Sequence, residues 1–192
     1  MSNCAGRVRG IAARSRIGAV VCLASIAGPL VAYAAGPHAS TDEDRRAAAA
    51  LNQDGDRAYR EGRFDKALKA YMNSYPNHPN AHAYLMAGDA YWRAVLAANQ
   101  PPVAETPKDA CPLSNTHFAS DAQRSLEQHY RPGLALADKD DARNKGVAAL
   151  YERSRAAAAC LTGIQAKYAE LPKTSCVDLR EVASCIGDPL NP

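Results

Sequence analysis

"EGRFDKALKAYMNSYPNHPN" (Glu61–Asn80) decides how this 192-residue chain is read. Phe64, Ala67, Leu68, Tyr71, Met72 and Tyr75 fall at i, i+3, i+4, i+7, i+8 and i+11, which makes one apolar face of a helix. Gly62 stands just ahead of it as a turn. Pro76 and Pro79 end it, because proline cannot continue a helix interior. The stretch is therefore one helix of a packed hairpin, and its neighbours on either side must supply the partners.

Those neighbours are also helical. "STDEDRR" opens the preceding helix, with Ser40, Thr41 or Asp42 as cap and acids in the first turn. Its small and apolar positions run Ala47, Leu51, Asp54 and Ala58, beside Gly55. A helix from about Asn80 to Ala98 follows, with the stripe Ala81, Tyr84, Leu85, Gly88, Trp92, Val95 and Leu96. The pattern then collapses over 99–116, "NQPPVAETPKDACPLSNT", an irregular insertion with four prolines and one cysteine. A fourth helix is expected over His117–Tyr130, with Phe118, Ala122, Leu126 and Tyr130 inward, bent or ended at Arg131-Pro132-Gly133. A long helix is expected over Asp140–Leu171, with Gly163 as a point where it kinks or divides. The tail, 173–192, is expected to hold one turn near Asp178–Ser184. Runs of Val, Ile and Thr are nearly missing, so strands have little to form from.

The amino terminus reads as an export signal. Arg7, Arg9, Arg14 and Arg16 precede the apolar run "IGAVVCLASIAGPLVAYA" and a small-residue site after Ala34. Residues 1–34 are read as a signal peptide, with an uncleaved membrane anchor over 17–34 as the alternative. Residues 35–41 are then a flexible start and 42–172 the helical domain. Removing the four arginines from 23 basic residues leaves 19 against 20 acidic, a net charge of −1. No dense basic stripe of the kind phosphate binding needs is present, so no nucleic-acid partner is expected.

Four cysteines remain beyond the signal: Cys111, Cys160, Cys176 and Cys185. An even number in an exported chain reads as two disulfides. Three pairings are possible, and the first choice is Cys176 with Cys185 and Cys111 with Cys160. No CxxC occurs, so a structural zinc site is not expected. His78 and His82 are four apart, but Pro79 puts His78 in the turn. His38 lies near the cleaved end. His117 starts a helix, and His129 sits near a helix end, where a cation is favoured. No nucleophile elbow, zincin, P-loop or dinucleotide motif occurs, so neither an enzyme nor a cofactor is expected.

The spacing from Gly62 carries a resemblance: Ala67 at +5, Tyr71 at +9, Ser74 at +12, Pro79 at +17, and Gly55 seven before. A second copy starts with Gly88, 33 residues after Gly55, followed by Tyr91. The chain resembles the tetratricopeptide repeats, helix-turn-helix units of about 34 residues. The match covers about 51–98 well and reaches Tyr130 only loosely. The resemblance implies an all-α fold of about two antiparallel hairpins, capped by the long C-terminal helix and stapled by disulfides. Each staple adds about 2–4 kcal/mol. It also implies a concave groove for a protein or peptide partner, lined by Asn52, Asp56, Tyr59, His82, Leu85, Asp89 and Trp92. The plainer reading of Tyr59 and Trp92 is burial between helices. Three functions follow in order: a periplasmic or secreted adaptor using this groove; an oligomeric structural envelope protein; a small-molecule binder or enzyme with a pocket under the insertion.

Overall fold

The structure, a computed structural model, describes residues 40–99, 111–140 and 147–187. All fall in one unit, Ala39–Pro192. The expectations for the signal segment, His38 and most of the insertion lie outside the described residues.

The described chain is helical, with no strand. Helix α1 spans Asp42–Arg60, α2 Phe64–Ser74 and α3 Ala81–Asn99. Of the three candidate caps, Thr41 starts α1. Its hydroxyl accepts from the Asp44 N–H, and the Asp44 carboxylate accepts from the Thr41 N–H at 2.8 Å. These bonds satisfy two orphan donors of the first turn; the Thr41 hydroxyl also donates to the Asp44 carboxylate at 2.7 Å, and that bond first, then the one from the Thr41 N–H, holds the carboxyl below its ordinary range. Gly62, at φ 71°, makes the turn into α2, a conformation open to glycine at little cost. Asn80 caps α3 through its side-chain oxygen, which accepts from the Ala83 N–H at 2.9 Å.

The first hairpin, α1 with α2, closes where a Cβ built on Gly55 would meet the Tyr71 ring at 2.6 Å. Only a residue without a Cβ allows the two helices this close. Within α2, Ala67, Tyr71 and Ser74 are buried, but Met72 is 42 % exposed. The buried face is thus narrower than the apolar pattern predicts.

The second hairpin departs from expectation. Helix α4 (Asn115–Ser125) does not stop at the Arg131-Pro132-Gly133 triplet. It passes through a π segment, Leu126–Tyr130, into α5 (Arg131–Asp140). The Arg131 N–H bonds to the Leu126 carbonyl, five residues back. That widened turn lies just before Pro132, where an α-turn would press the proline ring on the carbonyl four residues back. The composite helix runs antiparallel to α3. Trp92 meets Ser125, Gly88 meets Tyr130, and Leu85 meets Gly133, in opposite chain order. A Cβ on Gly88 would stand 2.9 Å from the Tyr130 ring.

Helix α6 (Ala148–Ala169) is shorter than expected and runs undivided past Gly163. It buries Ser154, Ala157, Leu161, Ile164 and Tyr168, while Leu171 is 43 % exposed. Helix α7 (Leu179–Cys185) falls on the predicted tail turn. Two cores result. A small one joins Ala58, Ala67, Tyr71, Ala87 and Ala90; a larger, aromatic one includes Leu85, Trp92, Phe118, Tyr130, Leu161, Tyr168 and the tail residues Val177, Val182 and Ile186.

The disulfides correct the first-choice pairing. Cys111 bonds Cys176 and Cys160 bonds Cys185, with Cα atoms 5.4 and 5.5 Å apart. The tail folds back instead of closing on itself: Ser114 and Cys176 form an antiparallel bridge, with Val177 N–H to Leu113 O at 2.9 Å and Asn115 N–H to Ser175 O at 2.7 Å. Buried Asn115 donates to the Tyr168 carbonyl at 2.7 Å and ties α4 to the end of α6.

Candidate functional site

The seven residues expected to line the groove divide into two groups. Asn52, Asp56, Tyr59 and His82 are half-buried along the seam between α1 and α3. Leu85, Asp89 and Trp92 are buried and line nothing. Trp92 is fully enclosed; its indole N–H donates to Ser125 Oγ at 2.9 Å, and its ring lies 5.6 Å from that of Phe118. Leu85 is sealed beneath Gly133 of α5. Asp89 is 4 % exposed, clamped by the Tyr59 hydroxyl and by Arg93 Nε at 3.1 Å. Leu85 and Trp92 share one cause: α5 and α4, which follow the insertion, pack on the face that the repeat phasing left open, whereas Asp89 is held by Tyr59 of α1 and Arg93 of its own helix. The signal was in α3 itself. Ala81, Ala83, Leu85, Ala87, Gly88, Ala90, Tyr91 and Trp92 surround most of its circumference, and a helix apolar on nearly every side is a buried one.

The seam is a chain of polar contacts. Asp56 accepts at one carboxylate oxygen from the Tyr71 hydroxyl (2.7 Å) and meets His82 Nε2 at 2.9 Å. Asn52 donates to the Asn80 side chain at 3.5 Å, and its own side-chain oxygen is buried without a hydrogen-bond partner among the described residues. Arg93 stacks its guanidinium over the Tyr59 ring at 5.5 Å and the Phe64 ring at 5.7 Å, a cation–π arrangement. Burial first, then the Asp89 charge, pushes the Tyr59 phenol well up; burial, then the bond to Asp56, does the same for Tyr71. Both therefore stay protonated donors. Sequence reasoning missed Tyr71 and Arg93 as polar partners, because each was placed by its apolar stem or not at all.

His129 also departs from expectation. It lies inside the continuous helix, 1 % exposed, with Nδ1 3.2 Å from the Tyr75 hydroxyl. Burial drives its pKa down to about 4, so the ring is neutral and no cation sits there. Its neighbour Tyr130 is equally buried, and its hydroxyl has no hydrogen-bond partner among the described residues. His78 bonds Ser40 Oγ at 2.9 Å, and His117 bonds Ser114 Oγ at 3.1 Å. Among the described residues no three His, Cys, Asp or Glu side chains converge as a metal site would need, and no helix is long and apolar enough to cross a membrane.

Comparison of the chain with protein-family models, with curated proteins and with solved structures gives no match. The two disulfides point to a location outside the cytoplasm, since reducing compartments keep thiols free.

Proposed function

We propose that this is a repeat adaptor of an oxidising compartment, of the tetratricopeptide type, which holds a protein or peptide partner along the α1–α3 seam. The observation that carries the reading is the recurrence of one packing contact. Gly55 against Tyr71 and Gly88 against Tyr130 place two hairpins in the same internal register, 33 residues apart at the glycine. Stacked hairpins in one register leave their first helices side by side. Here those helices present Asn52, Asp56, Tyr59 and His82 as half-exposed donors and acceptors.

The partner-contacting set is smaller than the sequence implies, because Leu85, Asp89 and Trp92 serve the core. A change at Trp92 would report unfolding. Exposed Ala49, three residues before Asn52 on the same stripe, is the better probe. Crosslinking and pull-down of the mature protein in its own envelope should lose its partner on Ala49→Arg, with the melting temperature unmoved. Capture that survives Ala49→Arg, or crosslinks only between copies of this chain, would overturn the reading.

A further inference from the structure

Both disulfides end on the same short segment. Cys176 and Cys185 belong to the tail, 173–187; Cys111 precedes α4 and Cys160 lies in α6. The tail is thus pinned at two points to two different elements. The segment covers apolar surface: Val177 and Val182, between the pins, and Ile186, just past the second, are at most 2 % exposed and join the core that holds Leu113, Leu161, Ile164 and Tyr168. Its other attachments among the described residues include the Asp178 N–H donating to the Tyr168 hydroxyl at 3.1 Å, exposed Lys167 meeting Glu181 at 2.5 Å, the Thr116 hydroxyl donating to the Lys173 carbonyl at 3.2 Å, the bridge at Cys176, and packing of α7 on α3 as well as α6. Helix α7 has seven residues, too few to hold its shape unaided. The small core of α1, α2 and α3 contains no tail residue.

The pins are reachable. Cys111, Cys160 and Cys176 are all exposed, and Cys185 is the only one of the four that is buried. We propose that residues 173–187 form a redox-released strap. An external dithiol opens both bridges and frees the segment, which uncovers the apolar face of α6 while α1–α3 stay folded. The exchange is balanced at each bridge. A thiolate of the dithiol attacks the sulfur of an exposed cysteine residue, Cys160 in one bridge and Cys111 or Cys176 in the other. The protein S–S bond breaks, a mixed disulfide forms, and the partner cysteine leaves as a thiolate that takes up a proton. The second thiol of the reagent then displaces the protein sulfur. Two electrons enter the protein at each bridge, and each dithiol leaves as a disulfide.

The test uses the oxidised full-length chain and dithiothreitol. Peptide mapping after alkylation reports which thiols have opened, and amide hydrogen exchange is followed in the reduced protein before alkylation. The expected result is at least tenfold faster exchange over 177–186 once the four cysteines are open, with α1–α3 amides changed less than twofold. Paired Cys→Ser variants, Cys111 with Cys176 and Cys160 with Cys185, should each free one end of the tail in the absence of reductant. Equal loss of protection in α1–α3 would make the bridges supports of the whole fold and overturn the strap. So would a tail that stays protected with all four thiols free, or bridges that dithiothreitol leaves closed in the native protein.

Discussion

The two hairpins share one contact and differ in almost everything around it. In the first, Gly55 receives the Tyr71 ring, the turn is short, and the phenol donates to Asp56. In the second, Gly88 receives the Tyr130 ring, the helices are separated in sequence by the insertion, and the partner helix carries a π segment and a proline. The Tyr130 hydroxyl ends buried and, among the described residues, unpaired. The lesson is that the glycine–ring contact sets the distance between paired helices, and the remainder of a hairpin is free to vary if that distance holds. Polar satisfaction is one of the things that varies.

The comparison breaks most sharply one shift along α1 and α3. Trp92 stands 33 residues after Tyr59, yet Trp92 is enclosed and Tyr59 half-exposed. Trp92→Ala should cost about 3–5 kcal/mol in urea unfolding, as large aromatic deletions in cores do, and Tyr59→Ala clearly less. Equal costs would mean that the two hairpins are buried alike.

Acid should separate the hairpins next. His129 precedes Tyr130 where Ala70 precedes Tyr71. The folded imidazole titrates near 4 and the unfolded one near 6.5. Below about 6.5 the unfolded chain therefore binds the proton that the folded chain refuses. Stability is full above that pH and declines toward pH 4, by about 3 kcal/mol in all. His129→Gln should flatten this slope in chemical denaturation from pH 4 to 7. An unchanged slope would assign the acid sensitivity to another group.

Gly55→Ala and Gly88→Ala should each destabilise by about 1–2 kcal/mol, as overpacking outweighs the helix propensity that alanine restores. Thermal melts that show a loss at one position only would end the equivalence of the two contacts. The smallest effects carry opposite signs. Tyr71→Phe removes a bond to a carboxylate and should cost about 1 kcal/mol; Tyr130→Phe removes an unpaired buried hydroxyl and should gain about as much. Urea midpoints at constant slope would resolve the two.

The order and the turns of α1 to α3 were legible, because Thr41, Gly62, Pro76 and Asn80 act on their own neighbours; the inward stripe of α1 was not, since Ala47 and Asp54 are exposed and Ala48, Gly55 and Ala58 are buried. Helix α7 was legible for the same reason, with Asp178 as its cap. The path through Pro132 was not, since a widened turn is a cooperative feature of the helix and leaves no mark in periodicity. Cysteine pairing was not legible either. Cys176 and Cys185 are near in sequence, but the bridge at Ser114 and the docking of α7 on α6 turn them to different partners. The burial of Leu85 and Trp92 depended on α5 and α4, whose position follows an insertion with no pattern to place it.

The order of the cysteines along the chain has a consequence for biosynthesis. The native pairs interleave, 111 with 176 and 160 with 185. A chain that emerges amino end first presents Cys111 and Cys160 well before either native partner. An oxidase acting on it as it appears joins those two, a link that blocks both native bonds at once. The yield of native protein is therefore a matter of timing. Oxidation must wait for the last residues, or an isomerase must undo the premature link, and trapping thiols at successive stages of synthesis will show which.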